Sequence, residues 1–462
     1  IWLSVKHTGI PLPQLVYGSV LQKVTAREAE LIKDPKEIEV RKIFADRAAA
    51  ADAKLKALPG SYDTEKANLQ KALDDAKAAN AAPEVIAAAQ KALDSYPKDV
   101  KAAEAAWKKE AGLKARSNPP LRHAESFPAP NDEARAKARK NFLALIFCLM
   151  VGTAALPHIL MRYYTTPSVK EARQSVFWSL FFIFLLYFTA PALAVLVKFD
   201  VYTLLVGSEF AKLPSWVASW TKVDPGLLSV TDVNKDGIVQ LAEISIGGDI
   251  VVLATPEIAG LPYVISGMVA AGGLAAALST ADGLLLTIAN ALSHDLYYKM
   301  LNPNASTATR VAVSKALLLV VAIAAAYVAS QKPADILFLV SAAFSLAAAG
   351  FFPALVLGIF WKRTTSIAAV LGMLAGVGIT FYYMATTQPW LRGVFGVKSS
   401  IAENTWWDIA PISAGIFGVP LGFLIIIVVS LFTPAPKREV QELVEHVRYP
   451  NLKGDTVVTQ VN

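Results

Sequence analysis

Seven apolar runs, each close to the length of a bilayer crossing, fill the last two thirds of this 462-residue chain and restrict what it can become. They fall at 142–161, 176–197, 260–291, 311–329, 336–361, 366–385 and 411–432. An α-helix needs about 20 apolar residues to cross the hydrocarbon layer. Hydrocarbon offers no partner to a free backbone N–H or C=O, so runs of this length are expected as helices. The whole chain is 54% hydrophobic with a mean hydropathy of +0.43, which is too apolar for a soluble protein of this size. The expected fold class is therefore an all-α polytopic membrane protein.

That average conceals two different parts. Residues 20–140 are rich in Ala, Lys, Asp and Glu and contain no long apolar run, whereas 141–433 hold the seven spans. Among the short loops, Arg162, Lys170, Arg173, Lys299, Arg310, Lys362, Arg363, Lys437 and Arg438 fall on one side of the membrane, and Lys332, Arg392 and Lys398 on the other. The positive-inside rule assigns the first set to the cytoplasm. It follows that 20–140 lie outside, that 199–258 form an outer loop, and that 434–462 form a cytoplasmic tail. The single cysteine, Cys148, excludes an intramolecular disulfide and a cysteine-based metal cluster, and its apolar surroundings suit packing.

The chain opens on Ile1-Trp2-Leu3-Ser4-Val5, without an initiator Met or a charged leader. The expectation is that 1–19 are the end of a preceding transmembrane helix and its loop, in an N-terminally incomplete protein. Within 20–140, helix-forming composition is broken at Pro59-Gly60, Pro83 and Pro97, and Asp63 and Asp99 offer helix starts. This predicts a hairpin or small bundle of charged helices, either a solvated insertion or a partner-docking domain.

In the outer loop, Asp232-Val233-Asn234-Lys235-Asp236-Gly237-Ile238-Val239-Gln240-Leu241-Ala242-Glu243 fits the twelve-position EF-hand calcium loop throughout. Side-chain oxygens at positions 1, 3 and 5, here Asp232, Asn234 and Asp236, are what Ca²⁺ coordination calls for. Glycine at position 6 makes the sharp turn, Ile238 offers its carbonyl, and Glu243 supplies a bidentate carboxylate. Val223-Asp224-Pro225-Gly226 lies too close upstream for a long entering helix, so a single calcium loop is expected rather than a paired EF-hand. The alternative is an Asp/Asn/Gly turn that only resembles one.

Two features inside the apolar runs carry chemistry. Gly272-Gly273-Leu274-Ala275-Ala276-Ala277-Leu278-Ser279-Thr280-Ala281-Asp282 sets two hydroxyls and a carboxylate among small residues. An ionisable group in hydrocarbon costs several kcal/mol unless it faces a partner, an ion or water, so Ser279 and Asp282 on one helical face read as a cation site. Gly152-Thr153-Ala154-Ala155-Leu156-Pro157-His158 interrupts the first run with Gly and Pro. Broken helices free backbone polar groups in mid-membrane, which makes Gly152, Thr153, Ala154 and Ala155 candidates for lining a substrate cavity. His158 either meets an anionic substrate or satisfies a freed carbonyl. No metalloprotease, nucleotide-binding or hydrolase motif is present, so the chain is not read as an enzyme.

The segments at 152–178, 272–299 and 360–377 together resemble the sodium:solute symporter family, in particular the branch around the bacterial acetate permease. The charged insertion and the calcium-like loop are not general features of that family and mark a distinct subgroup. The resemblance implies a LeuT-type fold of two inverted repeats, with this chain holding the second repeat and two trailing helices. It implies sodium ligands at Ala276 (carbonyl), Ser279 and Thr280 (hydroxyls); at Asp282 it allows a second cation or a proton, the alternative being an Asp that caps or pairs within the bundle. The implied activity is sodium-driven import of a small organic solute, a monocarboxylate such as acetate. The remaining sodium ligands would come from a missing N-terminal half, and a small membrane subunit is a further candidate partner. A membrane sensor of the same fold, or a half-subunit completed by another polypeptide, is the alternative. No nucleic-acid partner is expected.

Overall fold

The structure is a computed structural model that describes residues 1–79 and 81–446; Asn80 of the expected insertion and 447–462 of the expected tail lie outside the described residues. In chain order the first helices are α1 (Trp2–Thr8), α2 (Pro13–Lys33), α3 (Pro35–Lys56), α4 (Gly60–Ala78), α5 (Pro83–Asp94) and α6 (Val100–Ala111). There follow α7 (Asp132–Thr153), α8 (Pro157–Leu160), α9 (Val169–Leu204) and α10 (Ser215–Val223), the strands β1 (Leu228–Val230) and β2 (Ile244–Ile246), and α11 (Val251–Ile258). The last are α12 (Tyr263–Asn290), α13 (Thr307–Ser330), α14 (Ile336–Phe360), α15 (Ser366–Thr387), α16 (Pro389–Phe395), α17 (Ile401–Asn404), α18 (Gly415–Phe432) and α19 (Arg438–His446). Seven stretches among the described residues are long and apolar enough to cross a membrane, one for each expected run. The chain divides into two compact units, Ile1–Ser126 with Phe188–Ser266, and Phe127–Tyr187 with Gly267–Asn462.

In the first unit the punctuation of the sequence sets the helix ends. Asp34 caps α3 by accepting Lys36 N–H at 2.8 Å, with Pro35 pre-setting the first helical residue. Asp99 caps α6 as its sequence suggests, accepting Ala102 N–H at 2.7 Å. Asp63 does not start α4: the helix begins at Gly60, three residues earlier, and Asp63 lies in its first turn, where a carboxylate favours the dipole. A small core of Tyr62, Ala103 and Trp107 joins α4 to α6.

The main core of this unit draws on distant segments. Val20, Val24 and Leu31 of α2 pack with Val195, Leu196, Val201 and Leu205 near the end of α9, and with Ile250, Ala254 and Ile258. The charged N-terminal helices and the 199–258 loop therefore share one apolar interior. Three buried acids pin it. Glu28, fully buried, accepts Lys198 Nζ at 2.5 Å and His123 N–H at 3.0 Å. Asp200 receives Lys6 Nζ at 3.1 Å and lies 2.6 Å from His7 Nε2. Glu37 takes the N–H groups of Leu241 and Ala242 together with Arg41 Nη2 at 3.4 Å. Burial pushes the Glu37 carboxyl above its ordinary value, against the opposing pull of those N–H groups and of Arg41. Removing a partner from such a buried charge costs about 3–5 kcal/mol.

In the second unit α14, α15 and α18 pack against one another, and α7 packs on α14. Small residues bring the backbones together. A Cβ on Gly372 would collide with Ile426, one on Gly376 with the Ala349 carbonyl, and one on Gly418 with the Thr380 hydroxyl. On α7, a Cβ at Gly152 would lie 2.5 Å from Phe344 O. Without a hydrophobic drive between helices in lipid, such close approach supplies the dispersion contacts that hold them. Several polar groups bond to nearby carbonyls: Ser345 Oγ donates to Ile412 O at 2.9 Å, and Tyr383 Oη donates to Ile409 O at 2.5 Å. Cys148 is fully buried beside Ser413 O at 3.4 Å.

The interruption expected in the first run is present. α7 ends at Thr153, Leu156 is extended (φ −67°, ψ 119°), and Pro157 starts α8. The chain after the break leans on α12: a Cβ built on Gly283 would lie 3.8 Å from His158 Cβ and 3.2 Å from Arg162 Nη2. α12 continues as a π-helix over Ala291–Leu301. The most apolar stretches of α12 and α13 contain no buried residue within the structure.

Two outcomes follow from this packing. Gly376→Leu and Gly418→Leu should each cost well beyond the ~1–3 kcal/mol typical of overpacking and abolish monodisperse protein in detergent, while Gly378→Ala, whose methyl meets open space, leaves it unchanged. His158→Cys with Gly283→Cys should oxidise to a disulfide, because a Cβ separation of 3.8 Å lies in the bonding range; mass spectrometry of a tryptic digest checks it. Absence of the bridge under oxidant would reject this packing of α8 on α12.

Candidate cation and substrate site

α12 carries the four expected cation residues within two turns. Thr280 Oγ1 donates to Ala276 O at 3.2 Å, so the one expected carbonyl is engaged by one of the two expected hydroxyls. Ala276, Ser279, Thr280 and Asp282 are all exposed, and Asp282 makes no hydrogen bond or ion pair among the described residues. The helix thus aligns these oxygens along itself without another element closing over them.

The five expected substrate residues separate into two kinds. Gly152 and Ala155 are buried, the first against the Phe344 backbone, so helix packing accounts for both. Thr153 and Ala154 are exposed, and the Thr153 hydroxyl is spent on its own helix, donating to Leu149 O at 2.7 Å. His158 does not cap a freed carbonyl: its Nδ1 is buried and has no partner among the described residues. The break brings His158 and Arg162 to Gly283, the residue after Asp282. Arg162 entered the sequence reading only as a loop charge. Its place beside α12 depends on the fold of the broken helix, which spacing along the chain does not reveal.

The twelve-residue loop is held by strands rather than helices. β1 and β2 pair antiparallel with Val230 opposite Ile244, and Thr231 N–H donates to Glu243 O at 3.3 Å, so the ladder closes the loop at its base. Glycine is required at Gly237, where φ is +74°, and its N–H donates to Asp232 Oδ2 at 3.0 Å. Asp236 N–H donates to Asn234 Oδ1 at 3.3 Å, and Ile238 N–H to Asp236 Oδ1 at 2.9 Å. Glu243 is fully buried, accepting Val233 N–H at 2.6 Å and Gln240 N–H at 3.0 Å. Burial raises its carboxyl above the usual range and the nearby Asp232 charge adds to this, against the pull of the Gln240 and Val233 N–H groups. Among the described residues no three His, Cys, Asp or Glu side chains are gathered closely enough to hold a metal by themselves.

Comparison with known proteins places the membrane part. Residues 248–376 match the sodium:solute symporter family model. An uncharacterized symporter of Cupriavidus necator is 50% identical over 450 residues, 96% of this chain and 65% of that protein. A monocarboxylic acid transporter of Corynebacterium glutamicum is 27% identical over 287 residues, 62% of this chain and 45% of that protein. The chain thus spans less than two thirds of the length of either relative. No solved structure matches it. With seven helices of membrane-spanning length and these likenesses, this multi-pass membrane protein belongs to the sodium:solute symporter family.

Proposed function

We propose that the protein is a secondary transporter that imports a small organic solute, a monocarboxylate such as acetate, driven by inward sodium flow across a bacterial plasma membrane. One observation carries this reading: the Ala276 carbonyl, the Ser279 and Thr280 hydroxyls and the Asp282 carboxylate share two turns of α12, and the broken helix sets His158 and Arg162 against the residue after Asp282. Oxygen ligands on one helix suit a hard cation. A guanidinium and an imidazole beside them suit a carboxylate. Bringing the two charges together lowers the cost of carrying either through a low-dielectric interior.

The relative of Corynebacterium glutamicum, named a monocarboxylic acid transporter, supports the substrate class. In this reading Thr153 and Ala154 at the break face the solute, Asp282 takes a second cation or a proton, and further helices supply the remaining sodium ligands. The reading also carries the LeuT-type inverted repeats, and it sets 1–19 as the end of a preceding span, 20–140 with the 199–258 loop outside, 141–433 in the membrane and the tail in the cytoplasm.

Uptake of labelled acetate by cells expressing the full-length protein tests both halves of the site. Ser279→Ala with Thr280→Ala should raise the sodium concentration for half-maximal uptake at least about tenfold with normal membrane levels; unchanged sodium dependence would remove the site. Loss of a charged hydrogen bond is worth about 1.5–3 kcal/mol. Arg162→Gln should therefore raise the acetate KM roughly tenfold or more, and an unaltered KM would exclude Arg162 as the anion contact.

A further inference from the structure

We infer that the 232–243 loop binds one Ca²⁺ ion and that the ion braces the extramembrane helices against the chain that follows the loop. The inference does not rest on the transport reading. Its first support is the oxygen set. Asp232, Asn234 and Asp236 stand at alternate positions, Ile238 supplies a carbonyl, and Glu243 closes the loop, which is the donor pattern of a seven-coordinate calcium site.

The second support is what these oxygens do in the fold. Asp232 Oδ1 is buried and has no hydrogen-bond partner among the described residues. Gln240, at loop position nine, is only 4% exposed, and its Nε2 donates to Asp236 Oδ2 at 3.0 Å. The Ile238 carbonyl accepts no hydrogen bond among the described residues, while the neighbouring Gly237 and Val239 carbonyls accept from Phe210 N–H at 3.0 Å and Gly207 N–H at 2.8 Å. Each Glu243 oxygen accepts one backbone N–H, and a carboxylate offers about four lone-pair sites, so the other lone pairs remain available to a cation. A buried oxygen with no donor is costly in a folded protein, and a cation removes that cost together with the repulsion between Asp232 and Glu243. Among the described residues the three carboxylates do not by themselves gather closely enough to hold a metal, so the site depends equally on Asn234 and the Ile238 carbonyl.

The loop is also a joint. Leu241 and Ala242 donate their N–H groups to Glu37 of α3, and Ala242 O accepts Arg116 Nε at 3.0 Å. Lys36 Nζ stands 3.8 Å from Asp236 Oδ2. A cation that fixes loop positions nine to twelve therefore fixes the seat of α3 and of the Gly112–Ser117 turn. Ca²⁺ suits this loop better than Mg²⁺, which demands near-octahedral geometry and gives up water reluctantly.

The test uses the whole chain, purified in detergent and stripped with a chelator, titrated with CaCl₂ by calorimetry. The expected result is one site with Kd of about 1 mM or tighter, within the range of EF-hand loops. Asp232→Asn keeps an oxygen for the Gly237 N–H and removes the charge, so it should fold normally and bind at least about tenfold more weakly. Should that variant fail to elute as the wild type does, Glu243→Asp, which retains the charge on a shorter arm, takes its place with the same expectation. No binding by the wild type up to about 10 mM, or equal binding by wild type and variant, overturns the site. Hydrogen exchange at 240–243 should slow with Ca²⁺ in the wild type and not in the variant; binding without slowing overturns the brace.

Discussion

Close approach between helices, made possible by missing side chains, is the constraint on which the membrane part depends. At Gly372, Gly376 and Gly418 the space for a Cβ is already taken by a neighbouring helix. In lipid, where burying apolar surface gains little, that proximity replaces the hydrophobic effect as the source of cohesion. It also explains why Ser345, Thr380 and Tyr383 bond to carbonyls within or beside their helices: packing this tight leaves no water to serve them. The most apolar stretches of α12 and α13 contain no buried residue among the described residues, and α12 carries the oxygens proposed to bind the cation.

The first unit solves the opposite problem. Its helices are polar and Ala-rich, so their own apolar stripes are thin. Stability comes from sharing an interior with the end of α9 and with α11, while Glu28, Glu37 and Asp200, each placed on cations or N–H groups far away in sequence, fix how the segments meet. Buried pairs of this kind contribute little net energy, but the cost of breaking one selects a single register.

What could be read from residues alone follows from this difference. The seven spans were legible because apolar runs of fixed length have few alternatives, and the helix break at Pro157 and the start at Asp99 because proline and capping aspartate act within one turn. Asp63 misled because a helix can begin before its best cap when Pro59-Gly60 already sets the boundary. The union of the charged helices with the 199–258 loop was not legible, since Glu37 and Leu241 are joined across 204 positions with no periodic signal between them. For the same reason Arg162 gave no sign that it lies beside Gly283. The residues of α12 could be named from their resemblance, but their surroundings depend on which helix faces them.

The burial of Cys148 has a practical consequence. The chain has one thiol, fully buried and in contact with the Ser413 carbonyl, so water-soluble maleimides do not reach it. Within these 462 residues, a cysteine introduced on the exposed faces of α4 or α5 would be the only accessible one. Spin labels or fluorophores placed there in pairs would report how α4 and α5 move.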